Sequence, residues 1–133
     1  MQKCIVCEKD LKRNTLYCSA KCQHKHRSIE KINLWLEGKI TGTKKGCRLI
    51  RSVREFLLEK ANHRCSKCGW DKINPLTKRT PLEVNHIDGN SDNNRPENLE
   101  VICPNCHSLT SSWKALNKGK GNKERLRYSK LLS

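Results

Sequence analysis

The first apolar repeat of the chain falls between residues 20 and 37, where Ile29, Ile32, Trp35 and Leu36 recur at helical spacing. Lys21, Lys25, Arg27 and Lys31 occupy much of the remaining surface, and Gly38 supplies a C-terminal stop. The spacing predicts a basic helix there. A second stripe, Ile50, Val53, Leu57, Leu58 and Ala61, predicts a helix over 50–62, with Ser52 and Glu55 at capping-box spacing. Between the two, Gly38, Gly42 and Gly46 alternate with threonines and a Lys44-Lys45 pair, which is linker chemistry with no element expected. Further on, the period changes. Leu82 to Ile87 and Leu99 to Ile102 read as short strands, joined by an Asn- and Asp-rich loop that opens on the turn signal Asp88-Gly89-Asn90. Cys103-Pro104 then starts a third helix, expected to run through about Ala115.

These elements carry little apolar material. Hydrophobic residues make up 35% of the 133 residues and aromatics 5%, with one Phe and one Met. Folding must offset roughly 1–2 kcal/mol of backbone entropy per residue, so so small a core needs reinforcement. Nine cysteines are available for it. Eight stand as four close pairs, Cys4/Cys7, Cys18/Cys22, Cys65/Cys68 and Cys103/Cys106, and Cys47 is left over as a free thiol without a role. The chain opens Met1-Gln2-Lys3 with no apolar leader, and no run approaches the roughly 18–20 residues of a membrane span. A reducing compartment, the cytoplasm, is expected, and there thiols bind metal rather than pair with each other. Cys4, Cys7, Cys18 and Cys22 can close tetrahedrally on one structural Zn²⁺. Cys65, Cys68, Cys103 and Cys106 can close on a second, clamping the two ends of a motif, since 34 residues separate Cys68 from Cys103.

Charge adds a partner. Lys and Arg number 28 against 13 Asp and Glu, a net +15. Residues 1–50 hold 12 basic and 4 acidic side chains and residues 111–133 hold 7 and 1, whereas 51–110 are nearly balanced with 9 and 8. Basic ends around a neutral middle point to a polyanion, DNA above all, gripped through its phosphates. Lys114, Lys118, Lys120, Lys123, Arg125 and Arg127 are the candidate DNA-binding residues, and His24 and His26 are read as surface or phosphate-contacting. Trp35, Trp70 and Trp113 are read as packing anchors. The chain thus divides into a finger with its basic helix over 1–37, a linker over 38–49, a central module over 50–117 and a basic tail over 118–133.

The central module holds an ordered set of residues: Asn85-His86-Ile87-Asp88-Gly89-Asn90, then Glu97-Asn98-Leu99, then Cys103-Pro104-Asn105-Cys106-His107. This set resembles the HNH endonucleases, the ββα-metal nucleases often encoded by bacteriophages. The resemblance covers roughly residues 50–117, and the N-terminal four-cysteine finger and basic tail are similar to accessory parts of phage versions. It implies a small α+β fold, a zinc-stapled ββα-metal module preceded by a finger and helix.

The resemblance also implies an activity, metal-dependent hydrolysis of DNA phosphodiesters to 5′-phosphate and 3′-hydroxyl ends. His86 falls where the family has its general base, and Asn98 where an asparagine fixes the loop that aims it. His107 falls at a ligand of the catalytic divalent ion, with Mg²⁺ as first choice and Mn²⁺ or Ni²⁺ as alternatives. Asn85 falls at the other ligand position, where the family usually has Asp, Glu or His. A neutral amide holds a hard cation more weakly than a carboxylate. Glu83, two residues earlier, shares a strand face with Asn85 and is a candidate to assist. Asn85 keeps a second reading open, a zinc-finger DNA-binding protein with an attenuated or inactive site. A phage-encoded protein in a bacterial host, a homodimer and a packaging partner are further expectations of the resemblance.

Overall fold

The structure is a computed structural model, and it describes residues 2–44, 48–111 and 113. Helix α1 spans Ala20–Leu36. Ser19 caps it in extended conformation, its hydroxyl accepting from the Cys22 N–H at 3.3 Å. At the other end Gly38, with φ +74°, allows a Schellman closure: the Gly38 N–H donates to the Trp35 carbonyl and the Lys39 N–H to that of Leu34. The expected apolar stripe does not make a core face. Of α1 only Trp35 is buried, whereas Ile29 and Leu36 remain 42% and 46% exposed. The physical reason is reach. The C-terminal part of α1 meets helix α2, Arg51–Lys60, with the Trp35 and Phe56 rings edge to face at 6.2 Å.

The segment expected to hold no element contains one. Strand β1, Thr43–Lys44, pairs antiparallel with β2, Arg48–Leu49. The Ile50 N–H closes back on the Gly42 carbonyl at 2.9 Å. Gly42 acts here through contact rather than looseness. Its φ is +74°, and a Cβ at this position would stand 2.7 Å from Trp35 Cδ1. A side chain there would collide with the indole, so the glycine lets the backbone lie on Trp35.

Helix α2 starts without a side-chain cap at Ile50, so the Ser52–Glu55 capping box does not form. Glu55 instead accepts from Arg51 Nε at 2.7 Å. Val53 and Leu57 face inward and meet strand β4, Leu99–Ile102. Strand β3, Glu83–His86, runs antiparallel to β4, with Glu83 opposite Ile102, Val84 opposite Val101, Asn85 opposite Glu100 and His86 opposite Leu99. A single 3₁₀ turn, Pro96–Asn98, leads into β4. The core is one cluster of Trp35, Val53, Leu57, Cys65, Leu82, Leu99, Val101, Ile102 and Cys103.

Helix α3 is Pro104–Ser108, five residues rather than a helix to residue 115. Pro104 suits its first turn, and the Cys103 sulfur accepts from the Cys106 N–H. It ends where hydroxyl side chains compete for its carbonyls. Thr110 Oγ1 donates to the His107 carbonyl at 2.8 Å, and the Leu109 and Thr110 N–H groups reach back only three residues. Among the described residues no helix is long and apolar enough to cross a membrane.

Candidate active site

Two groups of four cysteines close up in space as their spacing predicts. In each, all four sulfurs lie within 4.8 Å of one another. The first is a small knuckle: the Cys4 N–H donates to Lys9, Leu11 donates to Gln2, and Cys22 arrives from the first turn of α1. The second ties Cys65 and Cys68, just after α2, to Cys103 and Cys106 at the start of α3. Four thiols at this distance compete for charge. The Val6 N–H, with further main-chain donors, lowers Cys4 to about 6, while the neighbouring Cys18 sulfur pushes Cys22 up to about 12. In the second group burial works against the Cys65 thiolate, yet the N–H groups of Cys68, Cys103 and Lys67 outweigh it and bring Cys65 down to about 6. Cys106 is pushed to about 12 by Cys103. A divalent cation removes the conflict by holding every ligand as thiolate. The donor sets fit one tetrahedral zinc ion each.

The second knot brings α3 alongside β3. His107 Nδ1 meets the Glu83 carboxylate in a short contact, and the His107 ring lies edge to face with Trp113 at 5.0 Å. Asn85, on the same strand face as Glu83, is 5% exposed, and its amide nitrogen donates to Glu100 Oε1 at 2.9 Å. Lys67 approaches the same Glu100 oxygen at 3.5 Å. The strand therefore presents Glu83 to His107 and Asn85 to Glu100. The carboxylate read as an accessory from the sequence is the one His107 touches.

His86, the last residue of β3, projects to the opposite face, with Val84. It is half-buried, and its Nε2 lies 2.8 Å from Asn94 Oδ1. The Asn94 amide nitrogen donates to the Ser91 carbonyl at 3.0 Å. That bond turns Oδ1 toward the imidazole, so Nε2 carries the proton and Nδ1 is left as the basic nitrogen.

The loop from 88 to 98 is built on its own side chains. Asn98, 7% exposed, accepts from the Asp88 N–H at 3.0 Å and donates to Asp88 Oδ1 at 2.9 Å and to the Asn93 carbonyl at 2.8 Å. Burial works against the Asp88 charge, but donors from Asn93, the Asn90 main chain and Asn98 outweigh it and hold the carboxyl below its ordinary range. Asn94, read from sequence as ordinary loop chemistry, is the direct partner of His86, and no local pattern in the sequence singles it out. Glu100 was also missed. Its signal was the strand register, which places it opposite Asn85. His26 Nδ1 lies 2.9 Å from the Tyr17 hydroxyl, a contact that joins the finger to α1. Lys114, Lys118, Lys120, Lys123, Arg125 and Arg127, with Cys47, lie outside the described residues.

Two antiparallel strands, a short helix and a four-cysteine group that could hold zinc, arranged around a strand-end histidine, define a ββα module. Residues 79–108 match the family model described as HNH endonuclease. The segment that carries His86 is thus similar to the HNH endonucleases over residues 79–108. Over 58 residues the chain is 45% identical to the H-N-H endonuclease F-TflIV of Escherichia phage T5, a match covering 44% of this chain and 25% of that protein. Over 57 residues it is 35% identical to the Zorya protein ZorE of Escherichia coli, covering 43% of this chain and 15% of that protein. The chain thus spans a quarter or less of the length of these curated relatives. Among solved structures, the Type IV phosphorothioation-dependent restriction endonuclease ScoMcrA aligns at a TM-score of 0.44 with 21% identity, over 84% of this chain and 25% of that one.

Proposed function

We propose that the chain is a divalent-metal-dependent DNA endonuclease in which His86 is the general base. One observation carries this reading: within the segment that matches the nuclease family, the His86 imidazole is fixed at Nε2 by Asn94 while Nδ1 remains the basic nitrogen. A base so placed takes a proton from the attacking water, a contribution typically of about 10²–10⁴ in rate. Asn98 secures the loop that holds Asn94. His107 and Glu83, already in contact, are the residues that would hold the divalent ion, with the Asn85 amide oxygen on the same strand face. A carboxylate with an imidazole suits Mg²⁺ or Mn²⁺, and Ni²⁺ through the imidazole. When bound, the ion supplies positive charge to the phosphorane-like transition state and the leaving oxygen.

In this reading zinc occupies both cysteine groups, residues 50–117 cut, residues 38–49 link, and the finger with α1 over 1–37 and the basic tail over 118–133 hold the phosphate backbone. The cytoplasm of a bacterial host is its place of action. Two copies acting together would break both strands and one copy would nick.

The test is cleavage of supercoiled and linear DNA with Mg²⁺, Mn²⁺ and Ni²⁺ in turn. Conversion to nicked or linear product with at least one ion is expected. Tight DNA binding with no cleavage under any ion overturns the reading. It would favour a DNA-binding protein with an inactive site, for which the engagement of Asn85 by Glu100 speaks.

A further inference from the structure

We infer that Trp35, on the helix that follows the N-terminal finger, is a positioning residue for His86 and acts through Asn94. The inference rests on the reading of His86 as the base. Trp35 Nε1 donates to the main-chain carbonyl of Asn94 at 2.7 Å, and the side chain of the same Asn94 accepts from His86 Nε2 at 2.8 Å. One residue therefore accepts a bond from α1 at its backbone carbonyl and another from the imidazole at its side-chain oxygen. The sequence separation is large, 59 residues from Trp35 to Asn94, so this tie joins parts of the chain that local structure does not hold together.

Trp35 is itself rigidly held. It is 1% exposed, lies edge to face against Phe56, and has the Gly42 backbone against its indole. Asn94 is buried too, although it lies in a loop. A cleft of about 550 Å³ opens beside their contact, between residues 35–41 and 92–97, so the loop is not packed flush against the helix on that side. The indole N–H bond sets the position of the Asn94 backbone. The Asn94 amide, locked by its donation to Ser91, sets the plane and tautomer of the His86 ring. A hydrogen-bonded partner behind a working histidine commonly matters about 10–100-fold when removed, and reach through a second residue lowers that figure. The region carrying α1 is thus part of the active-site frame as well as a DNA grip.

The test uses the full chain with its metals, measuring single-turnover cleavage and KM for DNA together with a long-range ¹H–¹⁵N spectrum of the imidazoles. Trp35→Phe keeps a ring in the core and removes the N–H. Asn94→Leu removes the acceptor and leaves Trp35 untouched, and Asn94→Asp restores an acceptor oxygen. The wild type should show His86 as the Nε2–H tautomer. Asn94→Leu should cut about 10–100-fold more slowly, and Trp35→Phe a few-fold more slowly, both with KM within about twofold and with the His86 resonances displaced. Asn94→Asp should recover most of the rate. A Trp35 that serves packing alone would lower the melting temperature and leave the His86 resonances where they were. If Trp35→Phe does not fold, Asn94→Leu and the wild-type spectrum carry the test. Native rates and unmoved His86 resonances in the two variants, alongside an inactive His86→Ala, overturn the inference and leave the endonuclease reading intact. Native cleavage by His86→Ala overturns the reading of His86 itself.

Discussion

Asn98 and Asp88 bind each other in both directions across the neck of the loop: the Asn98 amide oxygen accepts from the Asp88 N–H, and its nitrogen donates to the Asp88 carboxylate. A two-way bond of this kind fixes where the loop leaves β3 and where it enters β4. Asn98→Ala removes the buried partner of the Asp88 N–H, the Asp88 carboxylate and the Asn93 carbonyl, although Asp88 is exposed and Asn93 half-buried, so water can take up part of the loss. The expected cost is about 1 kcal/mol, seen as a lower denaturation midpoint, with cleavage falling further than stability alone explains.

The same contact predicts an acid limb. Asp88 is held below its ordinary pKa in the folded chain. A carboxyl so depressed contributes stability that is fully present above its unfolded value, about 3.9, and is lost as pH falls through the lower folded value. Proteolysis within residues 88–98 should therefore stay slow at neutral pH and accelerate only below about pH 4. Asp88→Asn should remove that dependence. An unchanged acid limb in the variant would assign the effect to another group.

His86→Ala should separate binding from chemistry. Backbone contacts supply most of the affinity and carry the salt dependence, and His86 is a half-buried residue engaged with Asn94. Cleavage should fall about 10²–10⁴-fold while the slope of log affinity against log salt stays as in the wild type. Fluorescence anisotropy on a short duplex at several salt concentrations measures it.

Asn85→Asp carries a cost that the sequence alone did not reveal. The amide nitrogen that donates to Glu100 would become a second carboxylate oxygen facing it. Repulsion between the two carboxylates should lower the melting temperature at pH 7, and a few millimolar Mg²⁺ or Mn²⁺ should restore it if the new carboxylate binds the ion. A variant as stable as the wild type in chelator would show that Glu100 is not pressed against this position.

Metal analysis should find two zinc ions per chain. Cys103→Ser should remove one of them and unfold the β3–β4 hairpin, because Cys103 belongs both to the knot and to the apolar core. Circular dichroism before and after a strong chelator reads the change. A chain that keeps its spectrum without metal would place the stability in the core instead.

Much of this architecture could be read from residue order. The cysteine pairs announced two knots because metal geometry accepts few spacings, and Leu99–Ile102 announced a strand by its three apolar residues, Leu99, Val101 and Ile102, around Glu100. Gly38 marked the end of α1 because a left-handed residue is needed there. Other features depend on tertiary context. Ile29 and Leu36 belong to the same predicted stripe as Trp35 yet stay exposed, since among the described residues no second layer covers that length of α1. Gly42 looked like linker and proved to be a close approach to an indole. At the candidate site His86, Asn98 and His107 stood out by order and type. The pairing of Asn85 with Glu100 required the strand register, and Asn94 required the path of an irregular loop, which no periodicity encodes.

The clamp formed by Cys65, Cys68, Cys103 and Cys106 also orders events during synthesis. A ribosome making this chain can complete the N-terminal finger as soon as Cys22 has emerged, but the second knot waits for Cys106, by which time His86 and Asn98 are already outside the exit tunnel. The first cysteine group can thus close before the module that carries His86 is complete.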